Sequence, residues 1–386
     1  MSTFLFWGAV AALIYLHAGY PLLLAVWARL KPWPSPSRHE DAAPGRLRRP
    51  APLVSVLLVA CNEAERIDAR LANLLTLDHP RDRLDILVAS DGSTDDTVRR
   101  ARAWHQEGVR VLALPQRGGK PAALNALAAL ARGDILMMAD ARQRFEPDAL
   151  PALLAHFDDP RVGAVSGALV LRADGSVGRG VGAYWRLESF IRRQESVIDS
   201  SVGVTGAIYA VRRHLVTPMP PDTLLDDVLI PMRVVRQGYR VLHEPRARAL
   251  DRASGSGREE FTRKVRTLAG NFQLFARERW MLLPWRNRLW LQTMSHKALR
   301  LLGPVFLGLA LAANVALVTA PFYAALLAAQ ILFYAIALGG GRLSRWARVP
   351  HLAIPQVFCL LHAATLVAFV RFVSGRQRVT WDRAGF

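Results

Sequence analysis

Three apolar runs in this chain each stop on polar or acidic residues: LVSVLLVACNE at 53–63, LDILVASDGSTDDT at 84–97 and DILMMADAR at 134–142. In an open α/β sheet, ligands bind beyond the carboxyl ends of the strands. Asn62, Glu63, Asp91 and Asp140 are therefore expected to line one crevice. Carboxylates and an amide gathered there suit a charged, metal-bound ligand.

Each of these residues also has a plainer reading. Asp91 is placed to accept a hydrogen bond from a uracil or ribose group, with Gly92 permitting close approach; capping of the next helix accounts for Thr94, Asp95 and Asp96 but poorly for Asp91. Gly118-Gly119-Lys120-Pro121 precedes an Ala/Leu-rich stretch, so backbone donors and the lysine could meet phosphate oxygens, or the four residues could form an ordinary turn. Asp140 could hold Mg²⁺ or Mn²⁺ on a diphosphate, because hard cations share oxygen ligands with substrate phosphates. It could equally pair with Arg142 or Arg144. Asp226-Asp227 opens a helical pattern, where one carboxylate serves as a cap and the other could be a general base. Arg263 and Arg266, three apart, nearly share a helix face and could neutralise a leaving diphosphate or be a solvated basic face.

The elements that would carry these side chains follow from hydrophobic periodicity. Strands are expected over 53–60, 84–89, 109–114, 135–138 and 162–170, and helices near 63–77, 95–105, 120–131, 148–156, 182–197, 224–237 and 259–275. This alternation implies a mostly parallel sheet covered by helices. No GxGxxG follows the first strand, which argues against the common dinucleotide-binding turn.

Both ends of the chain are different in kind. Hydrophobic residues make up 52% of the 386 positions, and the surplus lies in Phe4 to Trp27, Leu299 to Thr319, Phe322 to Leu338 and roughly Leu352 to Val370, each long enough for a bilayer crossing. The first segment has no basic leader or cleavage site and reads as a retained span. Much of the net charge of +19 sits beside these segments, as in Arg29, Lys31, Arg38, Arg46, Arg48 and Arg49, so it marks a membrane-facing cytoplasmic side. Interleaved aromatics of the kind used for nucleic acid are missing. Two cysteines, Cys61 and Cys359, give no disulfide framework. The expected order is a transmembrane helix at 1–28, a basic Pro-rich linker at 29–52, an α/β domain at 53–280, an interfacial helix at 281–298, a transmembrane region at 299–373 and a basic tail at 374–386. Arg342, Arg345 and Arg348 want the same side as Arg371, Arg376, Arg378 and Arg383. The 352–370 segment, which carries Pro355 and His362, is therefore expected to be re-entrant or interfacial.

Taken in order, the motifs resemble the membrane-integrated family-2 inverting glycosyltransferases, the group of cellulose, chitin, hyaluronan and poly-N-acetylglucosamine synthases. The resemblance runs from about Val54 to the last span. The nucleotide-binding motifs fall on Cys61-Asn62-Glu63 and Ser90-Asp91-Gly92-Ser93, and a G-K-x-x-A-L-N segment on Gly119, Lys120, Ala123, Leu124 and Asn125, with Lys120 toward the diphosphate. The D-x-D metal motif falls on Asp140-Ala141-Arg142, leaving Asp140 as the main protein ligand. Thr205-Gly206-Ala207 matches the acceptor-side loop. The T-E-D motif falls on Leu225-Asp226-Asp227, and the Q-x-x-R-W motif on Arg263 to Thr267, where Arg266 keeps the arginine and Thr267 replaces tryptophan.

The resemblance implies a GT-A catalytic domain with catalytic Asp227 and Asp226, nucleotide contacts from Asn62, Glu63, Asp91 and Lys120, diphosphate contacts from Arg263 and Arg266, acceptor contacts from Thr205 and Gly206, and Mg²⁺ or Mn²⁺ on Asp140. It implies a multi-pass bacterial inner-membrane enzyme with a cytoplasmic catalytic domain. Such an enzyme would move a hexose, from a UDP-sugar by expectation, to a lipid-linked or saccharide acceptor amid membrane lipid. The alternatives are a processive β-glycan synthase and a non-catalytic membrane protein that binds or senses a nucleotide.

Overall fold

The computed structural model describes residues 1–33, 51–172, 175–252, 257–339 and 353–380. Most of the expected Pro-rich linker, and the loop with Arg342, Arg345 and Arg348, lie outside them. The chain forms two compact units, one of Met1–Arg29, Arg172–Glu188 and Arg252–Gln377, the other of Leu30–Leu171, Ser189–Asp251 and Arg378–Phe386.

The second unit is built on eight strands: β1 Val54–Ala60, β2 Leu84–Asp91, β3 Val109–Leu114, β4 Ile135–Asp140, β5 Arg144–Phe145, β6 Val162–Arg172, β7 Ile208–Arg212 and β8 Arg240–Arg252. They lie in the order β3-β2-β1-β4-β7-β6-β8-β5. The first four are parallel, whereas β7 runs antiparallel to β4 and β6, and β5 to β8. Every residue of β1 is buried, as an unbroken apolar run requires when helices cover both faces of a parallel sheet.

Register decides which face each carboxylate takes. Val56 is opposite Ile86 and Met137, and Leu58 opposite Val88 and Ala139. Together they pack on Ile67, Leu71 and Leu74 of the helix Ile67–Leu75 and on Leu150 and Leu153 of the helix Ala149–Leu154. Since successive residues alternate faces, Asp91 and Asp140 fall on the other side, in line with Leu57 and Val59. That side is covered by the helix Lys120–Leu130, which packs on β1 and β2.

All five expected strands form. Three more, β5, β7 and β8, were not foreseen. The period-2 signal in β8 is real, but its buried positions include Ala247 and Ala249, each 0% exposed, between Arg246 and Arg248, so it reads as polar. The close approach of the two strands shows at Gly167 of β6, where a Cβ would stand 2.5 Å from the Ala247 carbonyl oxygen.

In the first unit, four helices are long and apolar enough to cross a bilayer: Ser2–Leu30, Trp290–Ala316, Pro321–Gly339 and Pro355–Val373. The last of them packs along the amphipathic helix Gly257–Arg277, with Phe272 against Phe369 and Phe372. The interfacial helix expected at 281–298 is not a separate element. A short turn at Arg279–Leu282 is followed by helix from Trp290 onward, continuous with the apolar helix Trp290–Ala316.

Candidate active site

Two loops at the carboxyl ends of β1 and β2 are sewn together by side-chain oxygens. Asn62 adopts a left-handed backbone with φ 56, which asparagine tolerates better than most residues. Its N–H donates to Ser93 Oγ at 3.0 Å and its Oδ1 accepts from the Thr94 N–H at 2.8 Å. The Glu63 N–H donates to Thr97 Oγ1 at 2.8 Å, and its Oε2 accepts from Arg66 at 3.0 Å. Asp91 is 1% exposed, and its two oxygens accept from the N–H groups of Gly118 at 2.7 Å and Gly119 at 2.9 Å. This carboxylate holds the glycine turn that delivers Lys120. Gly92 allows the turn to close: with φ 59, a Cβ there would sit 2.6 Å from the Arg117 nitrogen.

Lys120 is the first residue of its helix. Its Nζ lies 3.0 Å from Asp140 Oδ1 and 3.3 Å from Asp226 Oδ2. Burial by itself would lower this ammonium, but Asp140 and Asp226, with Asp227 beyond them, outweigh it and hold the group well above an ordinary lysine. Asp226 and Asp227 open the helix Asp226–Arg236. Asp226 is buried against Lys120, whereas Asp227 is half-buried and faces Gly206, where a Cβ would come within 3.1 Å of its Oδ2. Of the two carboxylates, Asp227 is the more open to an incoming hydroxyl.

The donor set at Asp140 fits a hard cation of a limited kind. Among the described residues no three His, Cys, Asp or Glu side chains are grouped so as to hold a metal ion by themselves. A single carboxylate, 39% exposed at a strand end, suits an ion that takes its other ligands from phosphate and water, as Mg²⁺ or Mn²⁺ does. Arg142 is held away from this task. Its Nε and Nη2 donate to Asp251 Oδ2 at 3.1 and 2.8 Å.

Other expected residues are placed elsewhere. Thr205 is buried, its Oγ1 accepting from Arg192 Nη1 at 2.8 Å and its N–H donating to Ser166 Oγ at 2.8 Å, so it fixes the loop while Gly206 meets Asp227. Arg263 and Arg266 belong to the other unit, on the helix Gly257–Arg277, and Arg263 pairs with Glu260. Two residues went unforeseen. Tyr209 of β7 is wholly buried, and its hydroxyl has no hydrogen-bond partner among the described residues. Burial, followed by Asp226, Asp227 and Asp140, pushes its hydroxyl far above the usual value. Arg70, 2% exposed, lies 3.9 Å over the Phe145 ring and is lowered to about 9 by burial, with Asp140 opposing.

A lysine among three aspartates beside the carboxyl ends of the parallel strands suits a charged ligand, and comparison with known proteins names a class of such ligands. Residues 55–216 match the family model described as Glycosyl transferase family 2. Residues 55–216 are thus similar to the family 2 glycosyltransferases, and the sheet with its helices has a GT-A fold. It is 26% identical over 201 residues to a poly-beta-1,6-N-acetyl-D-glucosamine synthase of Staphylococcus aureus, covering 50% of this chain and 48% of that one. It is 27% identical over 201 residues to a beta-monoglucosyldiacylglycerol synthase of Synechocystis, covering 50% and 42%. The match thus spans about half the length of these relatives or less. Among solved structures, a mannosyltransferase from Pyrobaculum calidifontis in complex with GDP-Man and Mn²⁺ superposes with a TM-score of 0.74 at 25% identity, over 97% of this chain and 100% of that one.

Proposed function

We propose that the protein is a membrane-bound inverting hexosyltransferase of cell-surface polysaccharide or glycolipid synthesis, using a nucleotide-sugar donor, with UDP as the favoured nucleotide. Its place would be the bacterial inner membrane, with the catalytic domain cytoplasmic. The observation that carries this reading is the Lys120, Asp140 and Asp226 cluster beside the more accessible Asp227. Asp227 removes the proton of the acceptor hydroxyl as that oxygen attacks the anomeric carbon from the face opposite the diphosphate. The bond from that carbon to the diphosphate oxygen breaks, and configuration inverts. Lys120 passes from the carboxylates to the diphosphate, and Asn62, Glu63 and the turn held by Asp91 shape the nucleotide side. Arg266, with Arg263, serves the leaving diphosphate, and Gly206 leaves room for the acceptor beside Asp227. Mg²⁺ or Mn²⁺ on Asp140 would supply further neutralisation of that diphosphate.

Relatives that bind or make different sugars leave the donor to experiment. Purified protein in detergent, offered UDP-, GDP- and dTDP-sugars, should release nucleotide from one class. Release from none of them, with a lipid extract present as acceptor, would rule the reading out.

A further inference from the structure

Glu188, on the helix Gly175–Ile198, is a buried carboxylate shared by a histidine and two cationic side chains. Both of its oxygens lie 3.0 Å from His296 Nε2, which is wholly buried. Lys297 Nζ stands 3.3 Å from Oε1 and Arg300 Nη1 stands 3.5 Å from Oε2. Two carboxylate oxygens offer about four lone-pair sites, whereas an ammonium and a guanidinium together bring about eight N–H donors. Among the described residues, Glu188 is the one acidic partner of both Lys297 and Arg300. Their side chains are 16% and 24% exposed, so the remaining donors are within reach of a ligand.

A second cationic pair lies on the helix Gly257–Arg277. Arg263 and Lys264 share Glu260, and the Lys264 ammonium also lies 5.8 Å from the Trp185 ring. Burial chiefly, with Glu260 opposing it, lowers Lys264 to about 8. Four basic side chains thus gather around two carboxylates, before His296 is counted.

Position along the chain identifies the missing anion. Lys297 and Arg300 lie in the first turns of the apolar helix Trp290–Ala316, the depth at which basic side chains meet headgroups. Exposed Leu302, Val305 and Leu309 follow directly. We propose that Lys297 and Arg300, anchored on Glu188, bind the phosphate of an anionic membrane lipid whose acyl chains lie along this helix. A free phosphate would use the same N–H donors but none of the apolar surface.

The full-length protein in nanodiscs of phosphatidylglycerol and phosphatidylcholine, analysed for retained lipid by native mass spectrometry, tests this. Phosphatidylglycerol should be retained on the order of tenfold over phosphatidylcholine, and the paired change Lys297→Gln with Arg300→Gln should abolish that preference while nucleotide binding persists. Equal retention by the unmodified protein, or an unchanged preference in the paired variant, overturns the proposal. Displacement by an equal concentration of inorganic phosphate overturns it too, since the site would then be one for a soluble anion. Should the paired variant also lose nucleotide binding, Arg300→Lys decides, since it keeps the charge and is expected to keep the preference. Nucleotide binding is measured separately, so failure here leaves the transferase reading intact.

Discussion

Lys120 holds two carboxylates that the reaction needs for other purposes. At 3.0 and 3.3 Å from Asp140 and Asp226 it pairs with both, and on the proposed reading a diphosphate draws it away as Asp140 takes a cation. Asp140→Ala should therefore lower both cation-dependent nucleotide binding and turnover, and EDTA should mimic it; indifference to both treatments would mean catalysis proceeds without the ion. Asp227→Asn should leave nucleotide binding near normal while turnover falls by on the order of 10²–10⁴, the usual worth of a general base. Near-normal turnover in that variant moves the role to Asp226. Asp140 was legible because a carboxylate ending an apolar strand has few structural reasons to be there, and Asp226 and Asp227 because two adjacent carboxylates exceed what one helix cap needs. Tyr209 and Arg70 were not: one is an aromatic inside a strand and the other a basic residue on a helix, and only folding places them beside Asp140.

At the scale of elements, the glycine turn before the helix Lys120–Leu130 depends on Asp91. Its carboxylate satisfies two backbone N–H groups, which an amide cannot do, so Asp91→Asn should leave one buried donor without an acceptor at a cost of about 1–3 kcal/mol. The expected result is a lower melting temperature together with weaker nucleotide binding, read by thermal unfolding with and without UDP. Loss of binding with stability unchanged would instead mean that Asp91 touches the nucleotide directly. The parallel half of the sheet was readable because its strands bury both faces and must be apolar throughout. The antiparallel half hides its pattern, since the buried positions of β8 mix Ala247 and Ala249 with His243, Glu244 and Asp251 and so do not read as an apolar run.

For the molecule as a whole, product length is the open chemical question, and Thr267 bears on it. Where processive relatives carry tryptophan at the matched position, this threonine turns its hydroxyl onto the Arg263 carbonyl at 3.1 Å and offers little flat apolar surface for a sugar. Membranes given radiolabelled donor should yield short, lipid-extractable products; a high-molecular-weight polymer formed without partner proteins contradicts this. The glycine turn has a consequence for the membrane as well. Gly119 has φ 85, and a Cβ on it would stand 2.8 Å from Val379 Cγ1, a residue beyond the last apolar helix that belongs to the same compact unit as the catalytic sheet. Three apolar helices separate that sheet from Val379, and an odd number of complete crossings ends on the opposite side. If these helices lie in a bilayer, the proposed reading then has at least one of the three turn back within it or lie along its surface, and the candidate is the 352–370 segment with Pro355. A cysteine placed at Arg376 should accordingly be labelled by an impermeant maleimide only from the side that also labels the catalytic domain; labelling from the other side would require the tail to leave Gly119.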